Sequence, residues 1–162
     1  MLFRSIPPHA EGDTRYYIMT LDTETLKYEF TGVGDALPRY ALTPDGEVLL
    51  VDSTNQVDAT LRLFDTKAHT FRDVKGAAVK LDNFVISSDA KHVFALAPEL
   101  VDIDVPASTA TPIVVPFVPT NINISADDQT LFLRHSPTEI CIFSLEKREC
   151  RATFTGSLLA SP

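Results

Sequence analysis

Four histidines are the first place to look for chemistry in this chain of 162 residues, and their spacing gives them little to do together. His9, His69, His92 and His135 fall in different stretches. No two stand in the His-x-His or His-x3-His arrangement that would aim two imidazoles at one metal. His69 and His92 fall in turns and read as solvated surface, whereas His135 follows Arg134 where an apolar run gives way to a loop, which makes it the candidate for a binding role. Asp45, Asp89, Asp127 and Asp128 could suggest calcium, but a calcium site needs six to eight converging oxygens. These aspartates recur instead at one place in a repeated phrase, so they read as turn formers. Neither a Gly-x-Ser-x-Gly elbow nor a cysteine with a histidine partner in sequence is present. Gly32-Val33-Gly34-Asp35 comes closest to a phosphate loop, yet it precedes no helical pattern and reads as a plain turn between units. No catalytic, cofactor-binding or metal residue is assigned, and no cofactor is expected.

Cys141 and Cys150 are the only cysteines. A two-residue hairpin loop at Leu145-Glu146 would set them directly opposite one another as a close, non-hydrogen-bonded pair, within reach of a disulfide. A longer or bulged loop would shift the register and remove that pairing, leaving two free thiols. Both outcomes stay open from sequence. No Cys-x-x-Cys occurs, so neither zinc nor a redox motif is indicated.

The elements that would position these groups are announced by the repeated phrase itself: Leu42-Thr43-Pro44-Asp45-Gly46, Ile86-Ser87-Ser88-Asp89-Ala90 and Ile124-Ser125-Ala126-Asp127-Asp128. Pro presets φ, Asp bonds its own backbone and Gly permits positive φ, so each is a turn with a mechanism. A short apolar run follows each: Val48–Val51, Val93–Leu96, Leu131–Leu133. A second landmark, Leu21-Asp22-Thr23, Phe64-Asp65-Thr66, Ile103-Asp104-Val105 and Phe143-Ser144-Leu145, recurs at separations of 43, 39 and 40. Both landmarks give a period near 41 residues, longer than the roughly 33 or 34 of helical ankyrin or tetratricopeptide units. Within one unit the second strand is continuously apolar, as when both sheet faces are covered, and the fourth alternates (Tyr28-Glu29-Phe30, Phe71-Arg72-Asp73) as a strand half in solvent does. The chain therefore reads as all-β, a β-propeller of four-stranded antiparallel blades, about four per chain, with units 1–36, 37–78, 79–118 and 119–156. Residues 157–162 could add a first strand. The opening run Met1-Leu2-Phe3-Arg4 aligns on Leu131-Phe132-Leu133-Arg134, so the chain reads as starting on a second strand.

The x-[Ser/Thr]-x-Asp turn, the apolar strand after it and the later Asp-Thr turn resemble the repeats of YVTN/lactonase-like and cytochrome-d1-like β-propellers, which are similar to WD-repeat propellers. The Trp-Asp dipeptide of WD repeats is absent, because the chain has no Trp. That resemblance implies a ring of six to eight blades, of which this chain supplies about half. Three arrangements follow: a piece of a larger ring, two copies completing one ring, or closure on four blades. The resemblance implies no single activity, since such propellers serve as lactonases, as subunits of oxidoreductases and as scaffolds.

Composition narrows the partners. The charge is −8, from 22 acidic and 14 basic residues, with the basic ones scattered; this disfavours nucleic acid. No apolar run approaches the length of a membrane span, and the N-terminal residues lack the apolar core of a secretory signal. The compartment stays open, a form with a signal removed included. Loops between second and third strands line one face of a propeller, where binding sites gather. Arg4, His9, Arg15, Asp52, Asp58, Arg134 and His135 lie on or near those loops and form the candidate binding face. Asn123-Ile124-Ser125 matches a glycosylation sequon in a strand expected to be buried. The expected function is binding or scaffolding, with a protein partner or a second copy of the chain. The alternative is the propeller domain of a lactonase-like hydrolase or a periplasmic oxidoreductase, with its chemistry on missing blades or a partner chain.

Overall fold

The computed structural model describes residues 16–34, 38–52, 61–76, 83–96 and 99–156. Every element among them is a strand. β1 (Tyr16–Leu21) and β2 (Tyr28–Gly34) pair as a two-stranded sheet; three four-stranded sheets follow. The second holds β3 (Arg39–Leu42), β4 (Val48–Asp52), β5 (Leu61–Asp65) and β6 (Thr70–Asp73). The third holds β7 (Phe84–Ile86), β8 (His92–Leu96), β9 (Leu100–Asp104) and β10 (Thr109–Pro112). The fourth holds β11 (Asn121–Ile124), β12 (Thr130–Ser136), β13 (Glu139–Ser144) and β14 (Glu149–Thr155). All neighbours are antiparallel and each sheet runs in sequence order. The sheets stack face to face without closing on one another, a partial propeller. The N-terminal second strand and any strand at 157–162 lie outside the described residues. Gly32 and Gly34 lie within β2, not in a turn between units.

The repeated phrase folds the same way three times. The hydroxyls of Thr43, Ser87 and Ser125 donate to Asp45, Asp89 and Asp127 at 2.6, 2.7 and 2.5 Å. Each hydroxyl oxygen in turn accepts the backbone N–H of Val48, His92 or Thr130, and each carboxylate accepts that of Glu47, Lys91 or Gln129. The residue after each Asp is left-handed, with φ of 74° at Gly46, 61° at Ala90 and 56° at Asp128. The carboxylates are thus occupied in shaping the turn that starts each inner strand.

Hydrogen bonds from these hydroxyls, and secondarily from the backbone, hold the Asp45, Asp89 and Asp127 carboxyls below their ordinary value of 3.8. A carboxyl depressed in the folded state stabilises the fold above its unfolded pKa, and that contribution is lost as pH falls through the folded value. Asp45→Asn, Asp89→Asn and Asp127→Asn together should therefore flatten the loss of stability below about pH 4. Urea midpoints measured across that range check this; an unchanged acid slope would contradict it.

Three apolar layers lie between the four sheets. Ile18 and Val33 of the first sheet pack on Leu49, Val51 and Phe64 of the second. Leu50, Leu61 and Leu63 point the other way, onto Val93, Val101 and Ile103 of the third. Phe94 and Leu100 then meet Ile122, Leu131, Leu133, Cys141 and Phe143 of the fourth. Side chains that alternate along a strand reach both neighbours, which is why β4 and β8 are apolar throughout. Each fully buried Leu or Phe contributes about 1.5–3 kcal/mol. Outer strands are wetter: β14 is exposed along its length except at Cys150. After β6 the chain crosses to the third sheet, where Lys75 N–H donates to Ser108 O at 3.0 Å and the Lys75 carbonyl oxygen accepts from Ala110 N–H at 2.7 Å. Gly76 follows at φ 103°, and a Cβ there would sit 2.4 Å from Ala110 O. Only glycine fits that crossing.

Cys141 and Cys150 are joined by a disulfide, with Cα atoms 5.7 Å apart. The register differs from that of a two-residue loop. Ser144 opposes Glu149, so the loop is Leu145–Arg148, and Cys141 opposes Thr153 while Cys150 opposes Phe143. A bulge between Ile142 and Phe143 shifts the ladder, so the longer loop and the bulge occur together and the cysteines meet diagonally on one face rather than as a direct pair.

Candidate interaction surface

The same alternation that buries one face of the fourth sheet leaves the other without a sheet above it among the described residues. Rows read across the ladder make this visible. In the second sheet Ala41, Leu50, Leu63 and Arg72 form one row; in the third it is Val85, Phe94, Asp102 and Thr111. The next sheet covers both rows, leaving Leu50 and Leu63 at 0% exposure and Phe94 at 3%. The matching row of the fourth sheet is Asn123, Phe132, Ile142 and Ala152, flanked by Asn121, Arg134, Ile140 and Phe154. Phe132 is 37% exposed and Phe154 57%. Apolar side chains thus stand at core positions of the repeat while facing solvent. β12 consequently alternates in burial where β4 and β8 do not. Asn123, expected to be buried, is exposed on this face.

The first sheet has a counterpart. Its face turned from the second sheet carries Met19, Leu21, Tyr28 and Phe30, paired Met19 to Phe30 and Leu21 to Tyr28. Phe30 meets Tyr17 and Tyr28 edge-on, at 6.3 and 5.4 Å between ring centroids. Tyr28 is 61% exposed. The described sheets thus present two apolar faces of opposite sense, one on the first sheet and one on the fourth.

At one end of the fourth sheet, Arg134 is exposed and His135 half-buried. The His135 ring stacks on Phe117 with centroids 4.4 Å apart, and its Nε2 lies 3.5 Å from a Glu139 carboxylate oxygen. Phe117 belongs to the connection between β10 and β11, which with Leu100 borders an open groove of about 370 Å³.

Of the sequence-predicted site residues, the structure brings Arg134 and His135 to this edge. Asp52 is not at the surface: it ends β4 in the second sheet and is fully buried, because the inner strand is covered up to its last residue. Arg4, His9, Arg15 and Asp58 lie outside the described residues. Two histidines read as solvated turns have specific partners. His69 is stacked over Phe64 and bonds Glu29 of the first sheet at 2.6 Å. His92 opens β8 and bonds Asp102 at 2.9 Å. Among the described residues no group of three or more His, Cys, Asp or Glu is placed to hold a metal. No helix among them is long and apolar enough to cross a membrane. The second-strand run Leu131–Leu133 reads in sequence as covered on both faces, yet Phe132 is exposed.

No family model matches the sequence, and no curated protein matches it. Solved structures are. TolB from Acinetobacter baumannii superposes with a TM-score of 0.57 at 13% identity, over 90% of this chain and 39% of TolB. An oligogalacturonate lyase from Vibrio parahaemolyticus superposes with a TM-score of 0.58 at 16% identity, over 91% of this chain and 50% of the lyase. Both are β-propeller proteins. At these identities the likeness shows the fold alone: this chain has the propeller architecture and spans half or less of either neighbour.

Proposed function

We propose that this chain is a propeller-type interaction module whose fourth sheet docks, face to face, on the first sheet of a second copy. The observation that carries the reading is the exposure of Phe132 at a position where Leu50 and Phe94 are covered by the next sheet, with half-buried Ile142 beside it and exposed Phe154 on the same face. An exposed apolar patch rimmed by polar residues marks an interaction site. The occupant is argued from the chain's other end, which offers Met19, Leu21, Tyr28 and Phe30 as the complementary face. The lyase neighbour, about twice as long, fits two copies completing one ring. The Cys141–Cys150 bond suits a module that works where thiols are oxidised. A head-to-tail contact of this kind closes into a ring when its rotation permits. A tagged copy held at low density on a surface should retain an untagged copy of the same chain. Failure to retain it at micromolar concentrations would overturn the proposal.

A further inference from the structure

We infer that the two copies meet in a single register, the Asp22–Lys27 turn of one seated on the β13–β14 rim of the other, with Glu24 against Arg151 and Leu26 against Ile142. This rests on the face-to-face reading above and adds the side chains that set it.

The three rims within one chain follow a common rule. The turn between third and fourth strands has one left-handed residue in each sheet: Leu26, His69, Ser108 and Arg148, with φ between 54° and 56°. In the second, third and fourth sheets this turn reaches back to the sheet before it. His69 bonds Glu29 at 2.6 Å. The Ser108 hydroxyl accepts from Arg72 at 2.8 Å, and the carbonyl of Pro106, two residues earlier, accepts from the same guanidinium at 3.0 Å. Arg148 lies 3.6 Å from the Asp102 carboxylate.

The receiving positions also repeat. Glu29 and Arg72 each stand three residues after the left-handed residue of their own sheet; in the third sheet that place is taken by uncharged Thr111, and Asp102, directly opposite it in the ladder, receives the contact instead. Carried to the fourth sheet, these places are Arg151 and Ile142. The bulge sets Arg151 beside the Ile142–Ala152 pair. The rim that no described sheet covers thus offers one cation and one apolar side chain.

The first sheet's turn, for which no earlier sheet is described, offers the matching pair. Leu26, at the left-handed position, is 71% exposed. Glu24, at the place of Pro106, is also exposed. Where the turn residue is polar its receiver is polar, as with Arg148 and Asp102; by the same matching, apolar Leu26 would meet apolar Ile142. The turn of the second sheet, with Lys67 at the place of Glu24, would set a cation against Arg151. Among the described residues the ion-pair partner of Arg151 is Glu146, loose at 3.9 Å and exposed. Such a pair is weak enough to be exchanged on docking.

A charge swap in the full chain tests the register. At low salt Glu24→Arg and Arg151→Glu should each weaken self-association about tenfold, and the double variant should return to within about threefold of the parent, because like charges face each other only in the single variants. Leu26→Asp should weaken it as well. Circular dichroism checks that each variant keeps its strands. If the parent self-associates and Phe132→Asp abolishes this, but the single swaps change nothing or the double fails to recover, the register is overturned and the face-to-face reading stands. If the parent never self-associates, both fall.

Discussion

Phe132→Asp should weaken self-association at least about 100-fold while leaving the fold of the single chain almost unchanged. The residue is 37% exposed in the isolated chain and sits at the centre of its row, between Asn123 and Ile142. Its counterparts Leu50 and Phe94 show what docking does to this position: they fall to 0% and 3% exposure beneath the next sheet. Covering the rest of a phenylalanine removes apolar area worth about 1–2 kcal/mol, and an unpaired carboxylate in the same place adds a desolvation cost of several kcal/mol. The sum exceeds the roughly 2.7 kcal/mol that 100-fold represents. In the free chain the new carboxylate keeps contact with water, so the urea midpoint should move little. A variant that associates as tightly as the parent would show that this face is not the contact.

Phe64→Ala should cost about 3–5 kcal/mol of folding stability, a large part of what a domain of this size possesses. Phe64 is fully buried in the layer between the first and second sheets. It packs on Phe71 at 5.0 Å between ring centroids, and the His69 ring lies parallel to it at 6.3 Å. Removing the ring empties the centre of that layer. It also loosens the support of His69, whose contact with Glu29 ties the two sheets at their rim. Equilibrium denaturation measures the loss. A cost below about 1 kcal/mol would mean that the first sheet does not pack on the second as a blade does.

The parts of this architecture legible in the sequence are those whose causes are local. A hydroxyl two residues before an aspartate, followed by a residue able to turn left-handed, is enough to form each inner turn, and Thr43–Asp45, Ser87–Asp89 and Ser125–Asp127 do so with the same bonds. The four strands of the second sheet could be read directly because Pro44-Asp45-Gly46 and Asp65-Thr66 punctuate them. What sequence could not supply depends on contacts between strands and between sheets. Asp52 looked like a loop residue because it ends a strand, yet it is fully buried. His69 and His92 looked solvated because they stand in or beside turns, yet each has a carboxylate partner, and for His69 that partner belongs to another sheet. The register of Cys141 and Cys150 depended on whether the loop held two residues or four. Counting outward from Leu145-Glu146 cannot see a bulge.

The surface of the fourth sheet was hidden for a related reason. Phe132 and Ile142 obey the same pattern as Leu50 and Leu63, and pattern alone does not say over which of the described sheets another lies. Of the residues singled out for binding, Arg134 and His135 share an edge of this sheet, and the Phe117 ring stacked on His135 fixes that edge to the connection before β11. The repeat was therefore informative twice, first for the fold and then, where its buried positions stand exposed, for the surface.

Sedimentation equilibrium of the unmodified chain tests the central claim most directly. Two sheet faces of opposite sense on one chain predict a species of twice the 17.8 kDa chain mass, in an equilibrium that shifts to single chains on dilution. A mass of 17.8 kDa at every concentration, micromolar to millimolar, would contradict it.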